Sequence, residues 1–109
     1  MSGVYEVYSD AKGEQRFRLK APNGEILLAS EGYTTKDACL SGINSVKKNS
    51  ALDERFDTYQ DAAGKHRFRL KAANDQIIGA GEAYESEANL NAGIASVKRW
   101  APGAAIKDI

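Results

Sequence analysis

Six cations recur at a fixed spacing: Arg16, Arg18 and Lys20, then Arg67, Arg69 and Lys71. With every second residue basic, an extended strand puts each trio on one side, because strand side chains alternate between faces. Tyr8, Tyr59, Leu27 and Ile78 fall on that side by parity. A basic, partly aromatic open sheet is what single-stranded nucleic acid uses, with phosphates on the cations and bases stacked on the rings. The competing reading is internal charge pairing. In a simple hairpin register Glu6 faces Arg18 and Asp57 faces Arg69, each pair contributing ~0.2–1 kcal/mol. The balance of 15 Lys and Arg against 15 Asp and Glu, with a pI near 6.6, weighs for pairing; nucleic-acid modules usually exceed a pI of ~9. Nucleic acid is therefore the alternative partner and a binding or interaction surface on this face the leading reading.

A second constellation is Glu31-x-Tyr33 with its counterpart Glu82-x-Tyr84. The two could line a small-ligand site at a symmetry axis. The simpler role is packing of each tyrosine against the start of a helix, in the manner of a hydrophobic staple. His66 and Cys39 would make a base and nucleophile only if they met in space. Each is single, with Gln15 and Leu90 at the equivalent places, so Cys39 reads as a small buried hydrophobe. No Ser-His-Asp order, metal-ligand spacing or Gly-rich phosphate loop is visible, so the expectation is a non-enzymatic protein without metal or cofactor. Trp100 is expected to pack against the terminal segment rather than to serve a partner.

Composition bounds the class. Hydrophobic residues make up 42% and charged residues 28% of 109 residues, ordinary values for a globular chain. One cysteine forms no internal disulfide. The longest aliphatic run, Ile26 to Ala29, is far short of the ~20 residues of a membrane span. With no secretory pattern after Met1, the expectation is a cytoplasmic protein without a membrane partner.

The elements that must position these residues come twice. Arg16-Phe17-Arg18-Leu19-Lys20-Ala21 returns as Arg67 to Ala72, an offset of 51 (67 − 16) that holds from Tyr5 to Ser50 without a gap. Val4–Ser9 and Gln15–Ala21 alternate as strands, and Asn23-Gly24 predicts a type I′ hairpin into Glu25–Ser30. That register sets Leu19 opposite Leu28, with Phe17, Leu19, Ala21, Ile26 and Leu28 on the covered face. Thr35 and Ser86 are N-caps for helices over 36–49 and 87–100, with Cys39, Ile43 and Val46 as one apolar stripe and Leu90, Ile94 and Val97 as its repeat. Gly42 and Gly93 within the helices point to a close approach, either of the two helices or of helix and sheet.

One unit is near the lower size limit for a lone core, so the two complete each other. The expectation is α+β: tandem β-β-β-α-β repeats, over about 4–53 and 55–109, in one pseudo-twofold domain. Two helices would lie on one face of a single antiparallel sheet, with a monomer as the expected state. Arg-Phe-Arg-Leu-Lys-Ala with Asn two residues on, Gly-Tyr or Ala-Tyr before the helix, and Gly-Ile-x-Ser-Val-Lys within it resemble the YegP-like family of small bacterial proteins, in its duplicated branch. The resemblance implies that the last strand of each unit is exchanged onto the other, here Glu54–Tyr59 and Ala105–Ile109. It implies no particular activity.

Overall fold

The chain runs β1 (Val4–Ser9), β2 (Gln15–Lys20), β3 (Ile26–Ala29), α1 (Lys36–Asn49), β4 (Phe56–Gln60), β5 (His66–Lys71), β6 (Ile77–Ala80), α2 (Glu87–Trp100) and β7 (Ala105–Asp108). The structure, a computed structural model, describes residues 2–109. Both helices start where the sequence places them. Thr35 Oγ1 accepts from the Ala38 amide and Ser86 Oγ from the Asn89 amide, each at 3.1 Å, satisfying one free donor of the first turn.

All strands join one sheet in the order β4-β5-β6-β3-β2-β1-β7. The repeats meet at its centre, where β3 and β6 pair antiparallel through Ala29 and Ala80, residues one repeat apart. A pseudo-twofold axis through that bridge exchanges β3 with β6, β2 with β5 and β1 with β4. Both helices cover the face that carries Phe17, Leu19, Phe68 and Leu70, all fully buried. The sheet is antiparallel except at one edge, where β7 runs parallel to β1 and makes it mixed.

β7 thus leaves the second repeat and lies on the first, as the resemblance implies. Phe56–Gln60 makes no reciprocal move: it pairs antiparallel with β5 inside the second repeat. The reason is topological. The residues that end the first unit also open the second, and one strand cannot occupy two places.

The turns also differ from expectation. Ala21 and Glu25 close the loop, and only Gly24 has positive φ (+87°) while Asn23 does not, so Pro22 and Asn23 form a type I turn followed by a left-handed residue. This turn sits one position earlier than a type I′ turn would. A bulge then adds the missing residue: Lys20 pairs with Ile26 but Leu19 with Leu28. The two shifts cancel, so Leu19 opposite Leu28 holds. They also exchange two side chains. Ile26, opposite Lys20, belongs to the helix-free face. Leu27 turns inward, 1% exposed, beside Ser96, Arg99 and Trp100 of α2. The same bulge buries Ile78 in the second repeat.

Candidate functional site

The helix-free face is built outward from the turns. Asp10 opens the β1–β2 turn, and its Oδ1 accepts from the amides of Lys12 (2.9 Å) and Glu14 (3.0 Å). Its Oδ2 is left to meet Arg16 Nε at 2.7 Å. Glu6, next along β1, lies opposite Arg18 and accepts from Arg18 Nε at 2.7 Å and Lys20 Nζ at 3.1 Å through one oxygen. The first trio is therefore fully paired. In the second, Asp61 repeats the turn and meets Arg67 at 3.4 Å, and Asp57 meets Lys71 at 3.5 Å. Arg69, opposite Asp57 in the ladder, leans instead over the Tyr59 ring, 4.3 Å from its centroid. Arg18 lies over Tyr8 at 5.0 Å. Such stacks contribute ~0.5–1 kcal/mol when exposed.

These partners shift the acids. The Arg18 guanidinium holds the Glu6 carboxyl below its ordinary range, and Arg16 does the same for Asp10. The Lys65 amide is the main cause of the lowering at Asp61. All eight residues singled out on this face, Tyr8, Arg16, Arg18, Lys20, Tyr59, Arg67, Arg69 and Lys71, come together there. Leu27 and Ile78 do not. Asp10 and Asp61 were not foreseen; the signal for them is an Asp opening each Asp-Ala-x-Gly turn, six residues before an arginine.

Tyr33 and Tyr84 go to equivalent places in opposite halves. Tyr33 stacks on Phe17 (6.3 Å, 16°) and Tyr84 on Phe68 (6.4 Å, 18°). Each backbone is tied to a strand start, Tyr33 to Gln15 and Tyr84 to His66. The close approach at Gly42 and Gly93 is explained by these rings: a Cβ on Gly42 would lie 2.8 Å from Tyr33 Cζ, and one on Gly93 2.5 Å from Tyr84 Cζ. The two helices do not cause it; at Gly42 the sheet contributes as well, since that Cβ would lie 3.3 Å from Phe17 Cε2 on β2. Burial raises both phenol pKa values. Tyr84 Oη is buried with no hydrogen-bond partner among the described residues, beside a groove lined by Glu25, Asn89, Ala92, Gly93 and Ser96. Tyr33 does not line that groove, and Glu31 and Glu82 sit with their own tyrosines.

Cys39 is fully buried in α1, and burial raises its thiol pKa. His66 lies beside Leu90, the residue standing at the Cys39 place in the second repeat. The two belong to opposite halves. Among the described residues no group of three His, Cys, Asp or Glu is placed to hold a metal ion, and no helix is long and apolar enough to cross a membrane.

The duplicated architecture recurs in known proteins. A family model described as a domain of unknown function, DUF1508, matches twice, over residues 10–57 and 61–108. A UPF0339 protein of the ptx operon 5′ region in Stutzerimonas stutzeri is 50% identical over 109 residues, covering 100% of this chain and 98% of its own. The UPF0339 protein YegP of Escherichia coli K12 is 43% identical over 108 residues, covering 99% and 98%. The solution NMR structure of E. coli yegP superposes with a TM-score of 0.94 at 42% identity, covering 99% of this chain and 93% of that one. A UPF0339 protein of Shewanella oneidensis, also solved by NMR, gives 0.92 at 42% identity, covering 99% and 92%. With two copies of the repeat and matches along its whole length, the chain belongs to the YegP-like family that carries the DUF1508 domain.

Proposed function

We propose that the protein is a non-enzymatic, monomeric interaction module of the cytoplasm that docks a polar protein surface through its helix-free sheet face. The observation that carries this reading is the pairing on that face: five of its six stripe cations already hold carboxylates, and the sixth covers a tyrosine. A phosphate backbone would have to displace those carboxylates, whereas a mixed-charge protein surface complements them. The lone buried cysteine suits a reducing compartment.

The test uses a photo-crosslinking residue at Tyr8 or Tyr59, with the exposed Lys48 of α1 as control, in living bacteria. Discrete protein adducts from Tyr8 and Tyr59, absent from Lys48 and lost on Arg18→Glu or Arg69→Glu, support the reading. Saturable amide shifts at Arg16–Lys20 and Arg67–Lys71 with single-stranded RNA or DNA, weakening linearly with log salt, would replace it with nucleic-acid binding.

A further inference from the structure

The pseudo-twofold axis maps six strands in pairs and leaves β7 without a mate. Symmetry calls for an eighth strand beside β4, parallel to it, and among the described residues none takes that place. The same residues record the difference in the two repeats. Tyr5, Val7 and Ile43 are fully covered on the β7 side; their counterparts Phe56 and Ile94 are half-buried and Thr58 is exposed. On the first repeat the cover comes from Ala101 and Ala104, both buried, with the Tyr5 hydroxyl donating to the Ala101 carbonyl at 2.8 Å. In the second repeat the matching space is a groove of about 320 Å³ lined by Asp53, Phe56, Asn91, Ile94, Ala95 and Lys98.

The backbone is ready as well. Along the outer side of β1 the carbonyls of Gly3, just before the strand, and Val7 accept from the amides of Ala105 in β7 and of Ile109 just past it. On β4 the residues alternate in the same way. Asp57 and Tyr59 bond to β5, in step with Asp61 donating to Lys65 beyond them, so Phe56 and Thr58 face outward. The Phe56 amide is taken by the Asp53 carbonyl, and neither backbone group of Thr58 has a partner on that edge among the described residues.

We propose that the outer edge of β4 and this groove form a strand-acceptor site for an extended peptide segment of a partner protein, bound parallel to β4. The register of β7 on β1 supplies the specificity. Ile106 lies opposite Tyr5 and Lys107 opposite Glu6, so the bound segment presents an apolar residue opposite Phe56 and a basic residue opposite Asp57. Asp57, with 47% of its side chain exposed and Lys71 only at 3.5 Å, has capacity for that second cation. Small residues just before the strand fill the groove, as Ala101 and Ala104 do. Main-chain bonds supply the affinity and alternate side chains the selectivity, as in other strand-addition complexes. The site shares Asp57 with the helix-free face, but the outer edge of β4 and the groove lie apart from it, and the edge contacts at Thr58 test this site separately.

The probe is a labelled peptide of sequence Ala-Pro-Gly-Ala-Ala-Ile-Lys-Asp-Ile, read by anisotropy and amide shifts on the full chain. The expected result is saturable binding with the largest shifts at Phe56–Tyr59 and new exchange protection of the Thr58 amide. Asp57→Lys weakens binding about three- to tenfold, and a peptide with Glu in place of its Lys restores it. Thr58→Pro, which removes the outward donor of an edge strand and fixes its φ, abolishes binding while the β5 pairing, read from the Asp57 and Tyr59 amides, persists. Absence of saturation overturns the proposal, as does a shift pattern confined to Tyr5 and Val7, which would mean that the peptide merely displaces β7. Self-association of the free chain through Thr58 in sedimentation would also overturn it, assigning the edge to a second copy.

Discussion

Replacing glycine by alanine inside a helix ordinarily stabilises it by about 1 kcal/mol. At Gly93 and Gly42 the opposite sign is expected. A Cβ at Gly93 would sit 2.5 Å from Tyr84 Cζ, inside any normal carbon contact. The ring cannot retreat: it is stacked on Phe68, and its backbone exchanges two hydrogen bonds of 2.8 Å with His66. Overpacking of this kind costs about 1–3 kcal/mol. After subtracting the propensity gain, Gly93→Ala loses up to about 2 kcal/mol, or up to about 9 °C in Tm for a chain of this length. Gly42→Ala, with Tyr33 Cζ at 2.8 Å, behaves alike but more mildly. Thermal and urea unfolding followed by circular dichroism measure both. In a Tyr84→Ala background the same Gly93→Ala change should become stabilising by about 1 kcal/mol, because the space is then empty. A rise in Tm for Gly93→Ala in the otherwise native chain would refute the assignment of the glycine to the tyrosine.

Tyr5→Phe deletes the bond to the Ala101 carbonyl and leaves a buried acceptor unpaired, so unfolding free energy falls by about 1–2 kcal/mol in urea titrations; no change would show that the hydroxyl does not hold the two ends together. Tyr84→Phe removes a buried hydroxyl that has no partner among the described residues and should raise Tm by a few degrees, an effect that Tyr33→Phe lacks. Glu6, Asp10 and Asp61 titrate lower when folded than when unfolded, so their contribution is complete above about pH 4 to 4.5 and is lost as pH falls further. The combined Glu6→Gln, Asp10→Asn and Asp61→Asn chain should show a flatter acid limb in a pH series of Tm values, and an unchanged limb would sink the pairing argument. Asp75 holds φ at +67°, where Gly24 stands in the other repeat, so Asp75→Gly should stabilise by about 0.5–1 kcal/mol in the same assay.

What could be read from the residues alone followed from local chemistry. The caps Thr35 and Ser86, the alternation through Phe17 and Leu19, and the 51-residue offset each carry their meaning within a few positions. Two features did not. Asn23-Gly24 carries a strong type I′ signal, yet Pro22 fixes a φ that suits the first central position of a type I turn, and the bulge at Leu27 is set by burial against α2 rather than by any turn residue. The fate of β4 is likewise a matter of competition between two places for one segment, which no local pattern encodes. On the sheet face the cations and tyrosines were legible from parity. Asp10 and Asp61 were not, because their side chains look committed to their own turns until the arginines are seen above them.

The clasp between Tyr5 and Ala101 also sets an order of events during synthesis. The first repeat leaves the ribosome with its outer strand bare, since the segment that covers Tyr5 and Val7 is made about a hundred residues later. Until then the nascent chain carries an unpaired, apolar border, the kind of edge that recruits chaperones or stray strands. Maturation is therefore a late event: only when residues 101–108 emerge from the ribosome is the first half closed, and a chain arrested before that point would hold an intermediate with β1 still open.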